Sequence, residues 1–86
     1  MYEAKISKAV YKFIKSSRRK FRVVIFNTFD TIVANPFDNT LDIKKLRNKQ
    51  GHYRLRLGKY RILYEIIQDE ILIYFYKADS RGDVYK

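Results

Sequence analysis

The first third of the chain carries apolar residues at the spacing of two helices. Residues 1–6 alternate between apolar and polar and predict a short strand, and Ser7 then stands where a helix N-cap belongs. Ser16–Ser17 ends the first predicted helix, whose apolar stripe is Ile6, Val10, Phe13 and Ile14. A second helix is predicted over residues 18–34, before Asn35–Pro36. Its apolar stripe is Phe21, Ile25, Phe29 and Ile32.

Alternation of period two begins near residue 52 and predicts strands over about residues 52–57, 60–67 and 70–77. The turns between them are Gly58–Lys59 and Gln68–Asp69. Residues 35–50 form a polar connection, and the tail over residues 78–86 is too short for a final helix. The predicted order is β-α-α-β-β-β, an α+β fold in which a helical hairpin packs on one face of a small, mostly antiparallel four-stranded sheet. We expect a single domain over residues 1–86.

The predicted strands divide their side chains between two faces, because successive residues of a strand point to opposite sides. One face is apolar and is expected to receive the helices; it carries Leu55, Leu57, Ile62, Ile66, Ile71, Ile73 and Phe75. The opposite face collects cationic and aromatic side chains, namely Arg54, Arg56, Arg61, Tyr74 and Tyr76.

The two turns predict which side chains meet across the strands. If Gly58–Lys59 is the whole first turn, Arg56 lies directly opposite Arg61. The second turn, with Ile67 opposite Glu70, predicts Arg61 beside Tyr76 and Leu63 beside Tyr74. Like charges directly opposed destabilise a sheet by roughly 0.2–1 kcal/mol, so folding alone gives no reason for an arginine pair.

An anion lying between the arginines would explain them. A guanidinium group binds phosphate oxygens bidentately, and aromatic side chains beside cations commonly hold single-stranded RNA. The alternative is an ordinary solvated strand face with arginine chosen for solubility and edge protection. Three arginines converging beside tyrosines favour the functional interpretation.

The charge balance points to the same kind of partner. The chain has 86 residues, with 19 Lys and Arg against nine Asp and Glu, and a formal net charge of +10. Such an excess implies an anionic partner, with nucleic acid first and an acidic protein second. No apolar run approaches the roughly 20 residues of a membrane span, and the N-terminus lacks a signal-peptide hydrophobic region, so we expect a cytosolic location and no membrane contact.

Composition also limits the chemistry. The chain has no cysteine and a single histidine, His52, so disulfides and cysteine-based zinc sites are excluded and no metal or other cofactor is expected. His52 falls on the cationic face at the start of a strand. Both an ordinary strand-end histidine and a catalytic one fit that position.

Two segments, LDIKKLRNKQGHYRLRLGKYRILYEI and ILIYFYKADSRGDVYK, resemble the RelE branch of the RelE/ParE toxin superfamily. The stretch YRLRLGKYRILYEI is similar to that family's hairpin, Y-R/K-x-R/K-x-G-x-Y-R-x-x-Y. The resemblance implies a toxin of a type II toxin-antitoxin module, an endoribonuclease that cuts messenger RNA on the ribosome by metal-free attack of a 2′-hydroxyl on the adjacent phosphate. It also implies a cognate antitoxin with a small acidic or amphipathic segment.

The resemblance assigns five candidate catalytic residues, which are Arg54, Arg56, Arg61, Arg81 and Tyr85. Arg61 and Arg81 are expected to stabilise charge on the phosphate, and Arg54 and Arg56 to grip its neighbours. Tyr85 is expected to stack on a base, and a base role in proton transfer is a hypothesis for it. The tail departs from the pattern, with Ser80 and Gly82 around Arg81.

Further basic and aromatic residues are candidates for RNA binding: Lys44, Lys45, Arg47, Tyr74, Tyr76 and Lys77. Lys49 and the run Arg18, Arg19, Lys20 and Arg22 are candidate contacts to ribosomal RNA, or solvated surface. Two other functions remain open from sequence. One is a ParE-like inhibitor of DNA gyrase, and the other is a non-enzymatic basic RNA-binding module.

Overall fold

A computed structural model of the chain describes residues 1–38 and 40–80, in which two helices pack on one face of a mixed five-stranded sheet. The elements in chain order are β1 Glu3–Ile6, α1 Lys8–Ser16, α2 Arg19–Ala34, β2 Ile43–Lys45, β3 His52–Leu57, β4 Tyr60–Ile67 and β5 Leu72–Ser80. The predicted α+β class and the helical hairpin are confirmed. The sheet has one strand more than the four predicted.

The strands lie in the order β1-β5-β4-β3-β2, with β1 parallel to β5 and the other neighbours antiparallel. The additional strand is β2, which lies inside the connection predicted to be irregular. It pairs with β3 through Ile43 opposite Leu55 and Lys45 opposite Tyr53. Three residues offer too little alternation for a strand to be recognised from the sequence.

Serine and proline set the limits of the helical hairpin. The Ser7 side chain accepts the backbone N–H of Val10 at 3.1 Å, so the predicted N-cap of α1 is confirmed. Ser17 follows α1 in an extended conformation, with φ −82° and ψ 158°. Helix α2 begins at Arg19 and stops before Asn35–Pro36, because the residue before a proline disfavours helical geometry.

The turn between β3 and β4 is the predicted Gly58–Lys59. Gly58 has φ 62°, a left-handed conformation that costs glycine little. The two-residue turn places Leu57 opposite Tyr60 and Arg56 opposite Arg61, so the predicted register of this hairpin is confirmed. An aromatic contact also fixes the turn, since the ring of Tyr60 lies 5.1 Å from that of Phe13 on α1.

The connection between β4 and β5 is longer than predicted. A 3₁₀ turn over Gln68–Glu70 is followed by Ile71 at φ 50°, and Ile67 therefore pairs with Leu72 instead of Glu70. Ile71, predicted on the apolar face, is 55% exposed in this turn. The predicted two-residue turn was wrong because alternation alone does not distinguish it from a four-residue connection.

A β-bulge shifts the same hairpin once more, between Leu63 and Tyr64. The predicted pairs Arg61–Tyr76 and Leu63–Tyr74 are wrong for these two reasons. The observed partners on β5 are Asp79 for Arg61, Lys77 for Leu63 and Tyr74 for Glu65. Tyr76 is the extra residue of the bulge and has no register partner on β4.

The core lies between the helices and the sheet. At its centre the ring of Phe29 on α2 stacks on that of Phe75 on β5, with centroids 3.8 Å apart and planes 10° apart. The other fully buried side chains include Val10, Ile25, Ile32, Leu55, Ile62, Tyr64 and Ile73. The predicted helix stripes and the predicted apolar face, apart from Ile71, meet in this core.

Candidate functional site

The helices cover one face of the sheet and leave the other uncovered. We call this other face the open face; its side chains are Glu3 and Lys5 from β1, Lys44 from β2, His52, Arg54 and Arg56 from β3, Arg61, Leu63, Glu65 and Ile67 from β4, and Leu72, Tyr74, Tyr76, Lys77 and Asp79 from β5. The cationic and aromatic side chains that were predicted to share a face therefore do so. The open face is predominantly cationic and has aromatic side chains along β5.

Arg54 and Arg56 are held from the side by one carboxylate that no sequence motif singles out. Asp42, in the segment before β2, accepts from Nη2 of Arg54 at 3.0 Å, and its second oxygen lies 3.8 Å from Nη1 of Arg56. The Arg54 side chain is only 11% exposed. Its Nε is buried and has no hydrogen-bond partner within the described part of the chain. Asp42 therefore orients the guanidinium group of Arg54 by a hydrogen bond and forms a longer ion pair with Arg56.

Arg61 completes a group of three arginines on adjacent strands. It lies directly opposite Arg56 on β3 and opposite Asp79 on β5. Asp79 also lies 3.6 Å from the ammonium group of Lys77. The predicted Arg56–Arg61 opposition is thus present, with Asp42 on one flank of the arginine group and Asp79 on the other.

A second group spans three strands at the other end of the open face. The hydroxyl of Tyr76 lies 2.9 Å from Nδ1 of His52, and Nε2 of His52 lies 3.6 Å from a carboxylate oxygen of Glu65. The rings of His52 and Tyr76 meet edge to face, with centroids 5.5 Å apart. His52 is therefore part of a side-chain network and not an isolated strand-end residue. The bulge that brings Tyr76 to His52 could not be read from the alternation.

The candidate RNA-binding residues are not all on one surface. Lys44 lies opposite Arg54 on the open face, whereas Lys45 lies opposite Tyr53 and points to the other side of the sheet. Arg47 is exposed in the turn after β2. Tyr74 lies on the open face with its ring centroid 6.0 Å from that of Tyr76. Lys44 and the tyrosines thus extend the arginine group, whereas Lys45 lies on the opposite side of the sheet and Arg47 lies in the turn after β2.

Two of the five candidate catalytic residues, Arg81 and Tyr85, lie outside the described residues. Arg54, Arg56 and Arg61 are described, and the sheet brings them together. Within residues 1–38 and 40–80, no group of three or more His, Cys, Asp or Glu is arranged to hold a metal ion. In the same part of the chain, neither helix combines the length and apolar character needed to cross a membrane.

These features define a chemistry for the open face. Guanidinium groups on neighbouring strands can bind an anion with several oxygens in fixed directions. Half-buried tyrosine rings beside them can accept flat ligands by stacking. A polyanionic chain carrying bases, that is, a nucleic acid, has both features.

Comparison with known proteins assigns the class. Residues 4–85 match the family of the ParE toxin of the type II toxin-antitoxin system, parDE. The chain is 32% identical, over 90 residues, to "Putative toxin RelE1" of Methanocaldococcus jannaschii, a match that covers 99% of this chain and 96% of that protein. The chain belongs to the RelE/ParE superfamily of type II toxin-antitoxin toxins.

Solved structures narrow the assignment within that superfamily. The archaeal RelE–RelB complex from Pyrococcus horikoshii OT3 contains a chain that superposes with a TM-score of 0.83 at 28% identity, covering 94% of this chain and 96% of that chain. The RelB–RelE antitoxin-toxin complex from Methanococcus jannaschii gives a TM-score of 0.77 at 28% identity, covering 94% of each chain. The protein is a RelE-like toxin, and the resemblance found in its hairpin sequence is confirmed.

Proposed function

We propose that this protein is a ribosome-dependent messenger RNA endonuclease. It cleaves by attack of a ribose 2′-hydroxyl on the adjacent phosphate, without a metal ion. The observation that carries the proposal is the convergence of Arg54, Arg56 and Arg61 on one uncovered face of the sheet. Because opposed arginines cost stability, their occurrence on adjacent strands is best explained by an anionic substrate.

Each arginine has a distinct position relative to such a substrate. Arg61 lies at the centre of the open face and takes the role of stabilising charge on the phosphate oxygens during attack. Arg54 and Arg56, oriented by Asp42, grip the phosphates on either side. Tyr74 and Lys77 extend the same surface toward β5 and bind the flanking nucleotides.

The tail supplies the rest of the site in this proposal. Arg81 adds a second positive charge at the scissile phosphate, and Tyr85 stacks on a base. Both roles follow from the resemblance of the tail to the family pattern. The described part of β5 ends at Ser80, opposite Tyr60 and one residue after Asp79, the partner of Arg61.

Two partners follow from this function. The ribosome presents the message, and Lys44, Lys45 and Arg47 contact RNA at the edge of the sheet. The antitoxin is a small protein with an acidic segment, since the chain carries a formal charge of +10 and the two archaeal structures above are complexes with RelB. A toxin that acts on translating ribosomes works in the cytoplasm, and the proposal includes that location.

Gyrase inhibition is the second candidate, because the family that matches residues 4–85 is that of the ParE toxin. The two functions are separated by mapping messenger RNA ends on programmed ribosomes and, in parallel, measuring gyrase cleavage complexes on supercoiled DNA. We expect new RNA ends and no gyrase complexes. Gyrase complexes without RNA cleavage would overturn the proposal in favour of the second candidate.

A variant pair makes the test specific for the arginine group. Arg61→Ala is expected to reduce the single-turnover cleavage rate roughly 100-fold to 1000-fold, as the loss of one charge-stabilising donor usually does. The control is Lys12→Ala, at an exposed cationic position on α1 that is outside the open face. Equal rates for both variants would contradict the role given to Arg61.

A further inference from the structure

The network of Tyr76, His52 and Glu65 joins three neighbouring strands on the open face. The Tyr76 hydroxyl lies 2.9 Å from Nδ1 of His52, and Nε2 of His52 lies 3.6 Å from Glu65. We call these three residues the tyrosine relay. They are near the arginine group, because His52 and Arg54 are two residues apart on the same face of β3, a distance of about 7 Å along a strand.

The backbone at Tyr76 is built to hold this geometry. Tyr76 is the unpaired residue of the bulge, and a bulge re-aims the side chain that it carries. Its carbonyl accepts a hydrogen bond from the Ser7 hydroxyl at 3.1 Å, which ties the bulge to the start of α1. In a regular strand Tyr76 would instead have a register partner on β4.

The groups around His52 determine which of its ring nitrogens carries the hydrogen. Glu65, an acceptor, faces Nε2, so the neutral ring carries its hydrogen on Nε2 and leaves Nδ1 to accept from the Tyr76 hydroxyl. The charged or titratable groups on the surrounding strands of this face are Lys5 on β1, which lies 5.8 Å from the ring centroid of Tyr74, Lys44 on β2, Arg54 on β3, Glu65 on β4, and Tyr74 and Tyr76 on β5.

Cleavage by a 2′-hydroxyl needs a proton acceptor, and arginine does not provide one near neutral pH. We propose that the tyrosine relay is that acceptor, with Tyr76 touching the 2′-hydroxyl and His52 and Glu65 acting through it. This inference rests on the function proposed above. It gives a role in proton transfer to three residues that the comparison with RelE toxins does not assign.

Proton transfer accompanies the formation and the breakage of the bonds to phosphorus. The 2′-hydroxyl proton moves to the Tyr76 oxygen while the Tyr76 proton moves to Nδ1 of His52. The 2′-oxygen then bonds to phosphorus, and the bond from phosphorus to the 5′-oxygen breaks. The leaving 5′-oxygen takes a proton from water. The imidazolium that formed on His52, paired with Glu65, returns its extra proton to the solvent. The products are a 2′,3′-cyclic phosphate and a 5′-hydroxyl.

The state of Tyr76 fits a relay better than a free phenolate. Burial raises the pKa of Tyr76 above its ordinary value, and the Glu65 carboxylate raises it further. Tyr76 therefore keeps its proton at neutral pH and can accept a second one only as it passes the first to His52.

The test is the single-turnover rate of messenger RNA cleavage on ribosomes as a function of pH. For the wild-type protein we expect the rate to rise with pH and then level off. Tyr76→Phe and His52→Gln are each expected to lose about 100-fold at the plateau, and His52→Gln to lose the pH-dependent rise. The double variant is expected to lose no more than either single variant, because both remove one pathway.

Glu65→Gln is the isosteric second variant, and it keeps the proposal testable if a His52 variant fails to fold. Removal of the carboxylate is expected to lower the plateau rate, because the imidazolium that forms on His52 loses the anion that faces it. The control is Tyr11→Phe, at a position on α1 that is 59% exposed and outside the open face. Its profile is expected to match that of the wild type.

The outcomes separate the two proposals. If the wild-type protein and Tyr11→Phe cleave RNA but Tyr76→Phe and His52→Gln cleave within about threefold of them, with an unchanged pH profile, the relay is overturned and the proposed function stands. Additive losses in the double variant would also overturn the relay. If wild-type protein cleaves no RNA at any pH, the proposed function fails, and the role of the relay fails with it.

Discussion

The guanidinium group of Arg54 and the carboxylate of Asp42 form a hydrogen-bonded ion pair, with Nη2 and Oδ1 3.0 Å apart, although 12 residues separate them in the chain. The same carboxylate lies 3.8 Å from Arg56. Asp42 therefore occupies an anion position beside both arginines. A phosphate that binds these arginines must share them with this carboxylate.

Replacement of Asp42 by asparagine should separate the role of Asp42 in orienting the arginines from the effect of its negative charge. We expect Asp42→Asn to lower the free energy of unfolding by about 1 kcal/mol. We also expect its RNA affinity to depend more steeply on salt: the slope of log K against log salt concentration should steepen by roughly 0.7 for each additional phosphate that the arginines bind. Urea unfolding and RNA binding at several salt concentrations measure the two effects. Asp69→Asn, in the turn after β4, is the control. An unchanged slope in Asp42→Asn would contradict the idea that Asp42 and the RNA phosphates compete for the same arginines.

Arg56 lies opposite Arg61 and should contribute more to activity than to stability. Arg56→Gln removes the repulsion between opposed like charges but also a long ion pair to Asp42. Because each contribution is a few tenths to about 1 kcal/mol and the two have opposite signs, we expect the free energy of unfolding to change by less than about 0.5 kcal/mol. The cleavage rate should fall at least about 10-fold. A large loss of stability would show that the ion pair between Arg56 and Asp42 is important for folding.

Tyr64 carries a hydroxyl into the core. The residue is fully buried, and within the described part of the chain its hydroxyl has no hydrogen-bond partner. An unsatisfied buried polar group costs about 1–3 kcal/mol, so Tyr64→Phe should raise the free energy of unfolding by about 1 kcal/mol. Urea unfolding measures the change, with Tyr11→Phe as the exposed control. Destabilisation by Tyr64→Phe would mean that the hydroxyl has a stabilising contact.

The same residue predicts how stability changes in alkaline solution. Burial raises the pKa of Tyr64 far above its ordinary value of 10.0. Below that pH the Tyr64 phenol is neutral in both the folded and the unfolded protein. Above it the phenol ionises in the unfolded chain but stays neutral in the folded protein. Stability should therefore fall as the pH rises beyond about 10, and it should fall less in Tyr64→Phe. Unfolding curves from about pH 9 to about pH 11 test this, and identical pH dependence in both proteins would contradict it.

The stacked pair at the centre of the core predicts a large effect of a small change. Phe29→Leu loses the ring contact with Phe75 and leaves a cavity, so we expect a loss of roughly 1–3 kcal/mol. Phe26→Leu, on the same helix but 47% exposed, is the matched control and should change stability by less than about 0.5 kcal/mol. Equal losses would show that the contact of Phe29 with Phe75 does not determine the effect.

The sequence predicted those parts of the fold in which one local signal determines the geometry. Gly58–Lys59 is a two-residue turn, so the register of β3 and β4 followed from counting, and with it the opposition of Arg56 and Arg61. Ser7 and Asn35–Pro36 set the helix limits for similarly local reasons. Local signals were therefore enough to predict which face of the sheet carries the arginines.

The parts that were missed depend on contacts between distant segments. The register of β5 was wrong because the turn at Gln68–Ile71 has no signal of its length, and the bulge at Tyr76 has none at all. Asp42 and Glu65 are ordinary acidic residues until the sheet brings them beside Arg54 and His52. The tyrosine relay depends on tertiary contacts and therefore could not be predicted from the sequence.

The parallel pairing of β1 with β5 joins Ile6 to Phe75 and so couples the two ends of the described chain. During synthesis, β1 has no strand to pair with until residues 72–75 have emerged from the exit tunnel, because β5 is its only partner among the described strands. Tyr74 and Tyr76 arrive on the same strand. A nascent chain that has not yet exposed residues 72–75 therefore lacks the complete toxin sheet.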